Sequence, residues 1–366
     1  LAALALLAGL VVAGLYRAGD SPLRPRAVIY AYGPADFADA MAMNQRRIAL
    51  GEQRVRDAPG DWSSQESLAQ ALLARARLTG SFDDLARADA ALARGMADAQ
   101  PGAGPLLTAA VGNMTIHRLA PVAALLDTLD RAAVPDGPDM RAEAMAIRGD
   151  LAFYSGDYAG ARAAYDTAAQ LHNDAGIAIR LANWQQKMGN SPAALAQIDA
   201  AMAMTRAPTR PFHANLLLQK GSIQLASGDW AGAEASFVAA DRIFPGNWRA
   251  RAFAAQMAAA RGDTAAAIAA YRRIADPPPE VIDALAAVYR AAGDARAANA
   301  AAARAAAGWQ RRLAQLPEAA VGHALEHELV FGTPARALAL ARQNVTARPY
   351  GDALVMLGWA QLQSGD

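Results

Sequence analysis

Hydrophobic and polar positions divide the chain into stretches of different kind. Residues Leu1 to Tyr16, LAALALLAGLVVAGLY, carry no charge and are apolar on every face, and Arg17 ends the run. Such a run does not read as a buried helix of a soluble domain and predicts a membrane segment. Its 16 residues would reach about 24 Å as a helix, against roughly 30 Å of hydrocarbon, so a few apolar residues ahead of Leu1 would complete a span. Gly19-Asp20-Ser21-Pro22-Leu23-Arg24-Pro25 follows as a turn-rich tether. From Pro34 to Asp57 the apolar positions recur at helical spacing and Pro59-Gly60 closes them, which predicts a lead-in helix.

Beyond residue 61 the pattern repeats. SGDYAGARAAYDTAAQL, from Ser155 to Leu171, returns 72 positions later as SGDWAGAEASFVAADRI, and Ser364-Gly365-Asp366 begins it again. Turn glycines at Gly156, Gly189, Gly228, Gly262, Gly293, Gly332 and Gly365 are separated by 33, 39, 34, 31, 39 and 33 residues, with Gly80 as an earlier member. A period near 34 residues is that of a helical solenoid, with the longer intervals absorbed in loops. The unit from Leu217 to Pro245 explains its own letters. Gly228 can stop a first helix in the left-handed conformation, and Asp229 can cap the second. Gly221 and Ala233 let the two helices approach, Trp230 and Phe237 fill the space around them, and Pro245 ends the unit.

Composition agrees with this pattern. Alanine dominates, basic residues are nearly all Arg (Lys187 and Lys220 are the only lysines), and β-branched residues are sparse. The expectation is an all-α chain with tightly packed helices. Charge is nearly balanced, 35 Lys+Arg against 34 Asp+Glu for a net +1, which leaves no electrostatic footprint for nucleic acid. Cysteine is absent, which excludes disulfides, thiolate metal sites and a cysteine nucleophile.

The repeated unit resembles the tetratricopeptide repeat. One unit carries the pattern in Gly221, Gly228, Trp230, Ala233, Phe237, Ala240 and Pro245, and another in Gly149, Gly156, Tyr158, Ala161, Tyr165 and Ala168. A third keeps Ala267, Tyr271 and Pro279 but has Thr264 at the aromatic position. The next keeps Leu285, Tyr289 and Ala298, and the unit around Gly332 keeps Ala337 and Pro349. The pattern is poorest over 100–133, where His117-Arg118-Leu119-Ala120-Pro121 replaces the glycine turn. The resemblance implies a right-handed α-solenoid of antiparallel helix pairs over residues 62–366. About eight pairs are expected, with a last one cut short after its first helix. Residues 1–16 then form the transmembrane anchor, or a signal segment with Val12-Ala13-Gly14 as its cleavage site, and 17–61 the linker and lead-in helix.

In that family the first helices line a concave groove. Carried onto this chain, its positions are Asp150, Tyr154, Asn183, Lys187, Asn215, Ser222, Arg249, Gln256, Asp283, Arg290, Glu326 and Trp359. This mixed lining suits a protein or peptide partner. The Lys–Asn clamp by which some members bind C-terminal carboxylates is not expected, because Ile179 and Gln219 stand at two of its positions.

Other chemistry is thin. His323-Ala324-Leu325-Glu326-His327 matches the H-x-x-E-H motif of a zinc-peptidase family, but only 39 residues follow it, too few for that family's distal ligand, and it sits on the first helix of a repeat. His117, His172 and His213 are scattered and no phosphate-binding glycine loop occurs. No catalytic residue, metal or cofactor is expected. The expected function is a non-enzymatic scaffold in the bacterial inner membrane, single-pass and with a periplasmic body, that holds a protein in its groove without binding nucleic acid. A permanent structural subunit of a membrane complex is the alternative reading, and a zinc metallopeptidase the second.

Overall fold

The computed structural model describes residues 28–131, 137–205 and 207–365. Among these the chain forms eighteen α-helices and no strand. The lead-in helix α1 is Phe37–Asp57. Asp36 accepts a hydrogen bond from the Asp39 amide at 2.8 Å, so the helix starts three residues after the Pro34 expected from spacing. Eight hairpins follow. They are α2 (Trp62–Thr79) with α3 (Phe82–Asp98), α4 (Leu106–Thr115) with α5 (Val122–Asp130), α6 (Pro138–Tyr154) with α7 (Tyr158–Leu171), and α8 (Ala175–Lys187) with α9 (Ser191–Met204). They continue as α10 (Arg210–Ala226) with α11 (Trp230–Ile243), α12 (Trp248–Ala260) with α13 (Thr264–Arg272), α14 (Pro279–Ala291) with α15 (Ala295–Gln315), and α16 (Pro317–Phe331) with α17 (Pro334–Ala347). Helix α18 (Gly351–Ser364) packs on the last pair. No helix of the described residues is long and apolar enough to cross a membrane, and the anchor expected at residues 1–16 lies outside them.

Each hairpin turn is built from short-range chemistry. Gly156, Gly189, Gly228, Gly262 and Gly293 all take positive φ, and the Asp or Asn that follows each of them caps the next helix. In the unit read from sequence, Asp229 accepts from the Gly232 amide at 2.9 Å. Gly332 departs from the pattern, with φ −95°. There the Glu328 carboxylate bonds the Thr333 amide at 3.3 Å and pairs with Arg336 at 3.1 Å, so a side chain organises the turn. His117 takes the left-handed place without being glycine, with φ 60°. Its amide donates to Met114 O and the Arg118 amide to Asn113 O.

The core is a string of clusters, most of them shared by adjacent hairpins. Phe237 is buried between α10 and α11, beside Ala233 and Ala240, and stacks on Phe253 of the next hairpin with centroids 4.4 Å apart. Gly221 makes this possible, because a Cβ there would overlap the Phe237 ring; Gly149 stands in the same relation to Tyr165. Trp230 does not share this interior and is 49% exposed.

The hairpins also curl until distant ones meet. Phe37 of α1 packs on Phe244 and its amide donates to Pro245 O at 3.0 Å. Trp248 Nε1 donates to Leu78 O at 3.1 Å and the Arg249 guanidinium to Arg77 O at 2.7 Å. Farther on, Arg118 bonds Asp89 at 2.9 Å and Glu318 at 3.2 Å, while Ile116, Leu316 and Ala319 bury together against Phe82 and Leu85. Helices α1 to α3 thereby stand against residues of α12, α15 and α16.

Gly221→Ala should destabilise the protein by about 1–3 kcal/mol in chemical denaturation, because the added methyl forces the Phe237 ring out of its place; a neutral result would mean that α10 and α11 can separate freely.

Candidate functional site

Where distant hairpins meet, side chains from five parts of the chain enclose a cavity of about 320 Å³. The α4–α5 turn contributes His117, and the end of α6 contributes Phe153 and Tyr154. Helix α8 supplies Asn183, Gln186 and Lys187, and α16 supplies His323 and Glu326 beside Gly322. The connection into α18 supplies Arg348 and Tyr350, with Asp352 at the start of that helix. Closure across the cavity is direct. Lys187 Nζ lies 2.6 Å from Asp352, the Gly351 amide donates to the Tyr158 hydroxyl at 2.6 Å, and the rings of Tyr154 and Tyr350 meet edge to face at 5.3 Å.

Arg348 is the unusual member. It is 4% exposed, and no carboxylate of a described residue stands within ion-pair distance of it. One terminal nitrogen donates to Asn344 Oδ1 at 2.8 Å, and the guanidinium carbon lies 5.8 Å from the Tyr154 ring and 5.5 Å from the Tyr350 ring. Among the described residues its Nε has no hydrogen-bond partner, and neither do His117 Nδ1 and Asn344 Nδ2. Burial lowers the Arg348 pKa, yet a guanidinium remains charged at neutral pH. His117 packs edge to face on Tyr154 at 5.6 Å, and its pKa is lowered to about 3, first by burial and then by the Arg348 charge. Glu326, 3.6 Å from His323 Nδ1, raises the His323 pKa.

The twelve positions carried over from the family pattern are dispersed. Tyr154, Asn183, Lys187 and Glu326 line this cavity. Asn215 and Arg249 line a second one, of about 560 Å³, against Asn44 and Arg47 of α1 and Arg77 and Leu78 of α2. Asp283 accepts from Trp309 Nε1 at 2.7 Å and holds His327 Nδ1 at 2.6 Å. Asp150 accepts from the Tyr165 hydroxyl and from Arg180 Nε, each at 2.9 Å, while Arg180 also grips Glu143. Burial holds Asp150 above the ordinary carboxylate value against the pull of Arg180, so its place is between helices. Ser222 bonds Leu218 O of its own helix, and Arg290 lies over the Phe331 ring at 4.8 Å. Gln256 and Trp359 are exposed.

In the H-x-x-E-H stretch, buried His327 faces Asp283 while the exposed His323 stacks on Trp309 with centroids 6.0 Å apart. Among the described residues no three His, Cys, Asp or Glu side chains converge in a way that could hold a metal ion. Reasoning from the family's groove positions missed His117, Arg348 and Tyr350, which sit outside the first helices. The signal for His117 was in plain view, since the break in the glycine register at 117–121 is the turn that enters the cavity. Arg348 carried only its place before the unit-ending Pro349.

Fold and site together define a helical-repeat protein with a polar cavity on the side where its hairpins converge. In the middle of the chain the family model of the tetratricopeptide repeat matches residues 179–247 and 218–281. The unit of Gly149 and Tyr165 lies outside the match, although it repeats the geometry of Gly221 and Phe237. No curated protein matches the chain. Among solved structures, a monomeric mutant of IFIT1 with m7Gppp-AAAA is similar at 13% identity and a TM-score of 0.52, over 90% of this chain and 74% of that one. The heterotetramer Cut9–Hcn1 of APC/C is similar at 14% identity and a TM-score of 0.49, over 79% and 55%. PilW, a widely conserved type IV pilus biogenesis factor, is similar at 18% and 0.46, over 56% and 92%. At these identities the likeness is one of fold.

Two outcomes follow for single residues. The fold prefers neutral His117, so the stability this preference contributes is complete above pH 6.5 and is lost as pH falls from there towards about 3. The loss should reach about 1.4 kcal/mol per pH unit at most, and His117→Asn, which tolerates the left-handed conformation, should remove that slope from the denaturation midpoint measured against pH. Asp150→Ala should cost about 2 kcal/mol by stranding Arg180 beside Glu143 alone; an unchanged midpoint would place Asp150 outside the packing between helices.

Proposed function

We propose that this chain is a non-enzymatic scaffold of tetratricopeptide type that binds a protein or peptide partner. Residues 1–16 tether it to the bacterial inner membrane as a single span, and the body lies in the periplasm. The observation that carries the reading is the convergence of Tyr154, Asn183, Lys187 and Glu326, four positions from three separate first helices, on one cavity. A small polar cavity flanked by aromatic rings and by both signs of charge suits the side chains of an extended segment more than a large rigid cofactor. Nearly balanced charge, +1 over the chain, speaks for a protein partner and against nucleic acid. Stacked hairpins make the cavity wall rigid, so binding rests on shape and on a few hydrogen bonds.

A second reading, a permanent subunit of a larger membrane complex, is favoured by α18, where Leu354, Val355, Trp359 and Leu362 are each about half exposed or more.

Full-length protein purified from its native membrane in mild detergent should bring a stoichiometric companion that survives high salt. Replacing Asn183 and Lys187 together by Ala should weaken that companion's binding roughly tenfold, the loss of about 1.4 kcal/mol of polar contacts. Recovery of the protein alone overturns the scaffold reading. A companion unaffected by the double variant, yet released by polar substitution of Val355 and Leu362, moves the interface to α18.

A further inference from the structure

We propose that the Arg348 guanidinium anchors a subsite for a single carboxylate within the cavity enclosed by α6, α8, α16 and the connection into α18. The proposal rests on the scaffold reading only for the source of that carboxylate, a docked peptide or a free organic acid.

A buried cation without a counter-ion is costly, several kcal/mol even after the surroundings relax, and removing it from water is normally offset by an opposite charge. Arg348 is 4% exposed and has none among the described residues; its partners there are Asn344 Oδ1 and two tyrosine faces at 5.8 and 5.5 Å, near the outer limit for cation–π attraction. Arg348 Nε and His117 Nδ1 have no hydrogen-bond partner among the described residues, although both are buried and both residues line the cavity. With its proton on Nδ1, neutral His117 would add a second donor to the guanidinium edge. The space beside the guanidinium is kept open by Gly322, since a Cβ there would lie 3.2 Å from an Arg348 terminal nitrogen.

Charge decides the kind of anion. Lys187 pairs with Asp352 at 2.6 Å and Glu326 faces His323 Nδ1 at 3.6 Å, whereas no carboxylate of a described residue stands within ion-pair distance of Arg348. One unmatched cation takes one negative charge. A planar carboxylate also matches the guanidinium edge, whereas a phosphate dianion would bring surplus negative charge against Glu326 and Asp352.

Calorimetric titration of the full-length protein in detergent tests this with four probes: an N-acetylated tetra-alanine peptide with a free C-terminus, the same peptide as its C-terminal amide, propionate, and inorganic phosphate. At least one carboxylate probe should bind about tenfold or more tightly than both the amide and phosphate. The free-acid peptide exceeding propionate assigns the carboxylate to a docked chain, and equality assigns it to a free acid. Arg348→Met should abolish binding while the melting temperature stays level or rises, because the buried charge is gone. Gly322→Ala, which leaves Arg348 in place, should weaken binding several-fold and serves if the first variant does not fold. Absence of binding by any probe, phosphate binding more tightly than the carboxylates, or an Arg348→Met protein that binds as its parent does overturns the subsite. An Arg348→Met protein that still recovers the companion, from a parent that binds no carboxylate probe, removes the subsite and leaves the scaffold. A parent that binds propionate but recovers no companion does the reverse.

Discussion

The last carbonyl groups of a helix have no partner within it, and at the end of α2 they are met by side chains far along the chain. Trp248 reaches Leu78 O, Arg249 reaches Arg77 O, and Arg312 reaches Gly80 O at 3.3 Å. These donors hold the first hairpin against the sixth and seventh. With α2 and α3 seated, Phe82 and Leu85 cover Ile116 and Leu316, and the α4–α5 turn is held over α16. His117 reaches the cavity because of this chain of contacts. The groove of an open solenoid, expected from the family pattern, is therefore partly occupied by the protein's own lead-in helix and first hairpin, and Asn215 and Arg249 look onto α1 and α2.

That occupation changes what a ligand could meet. An open concave surface would present its polar residues as a long stripe. Here they are divided among pockets, and several are engaged inside the protein: Asp150 with Arg180, Asp283 with His327 and Trp309. The cavity around Arg348 differs because its unpartnered atoms are donors, actual or available, gathered near one buried charge. Its walls come from the α4–α5 turn, from α6, α8 and α16, and from the connection into α18.

Much of the fold was legible because its causes are local. Positive-φ glycines, the Asp or Asn caps that follow them, and the small residues under Phe237 and Tyr165 lie within one repeat of each other, so their spacing survives in the sequence as a period. Local reading failed where a side chain replaced a backbone device, as Glu328 does at Gly332. It failed also at Trp230, where an aromatic letter in register carries no guarantee of burial. The cavity was legible only in part. Tyr154, Asn183, Lys187 and Glu326 stood at positions a repeat pattern can number, whereas Arg348 and Tyr350 lie in a connection that the pattern leaves unspecified.

By itself the sequence determined an all-helical chain of stacked hairpins, their turns and most of the residues facing inward, because hydrogen bonding and close approach within a hairpin depend on residues near one another in the chain, as Asp229 is to Gly232 and Gly221 to Phe237. Tertiary structure alone decided which hairpins meet again. Lys187 and Asp352 are 165 positions apart, and Arg118 and Glu318 are 200. Their meeting depends on small rotations accumulated over several hairpins, and no single repeat encodes that sum.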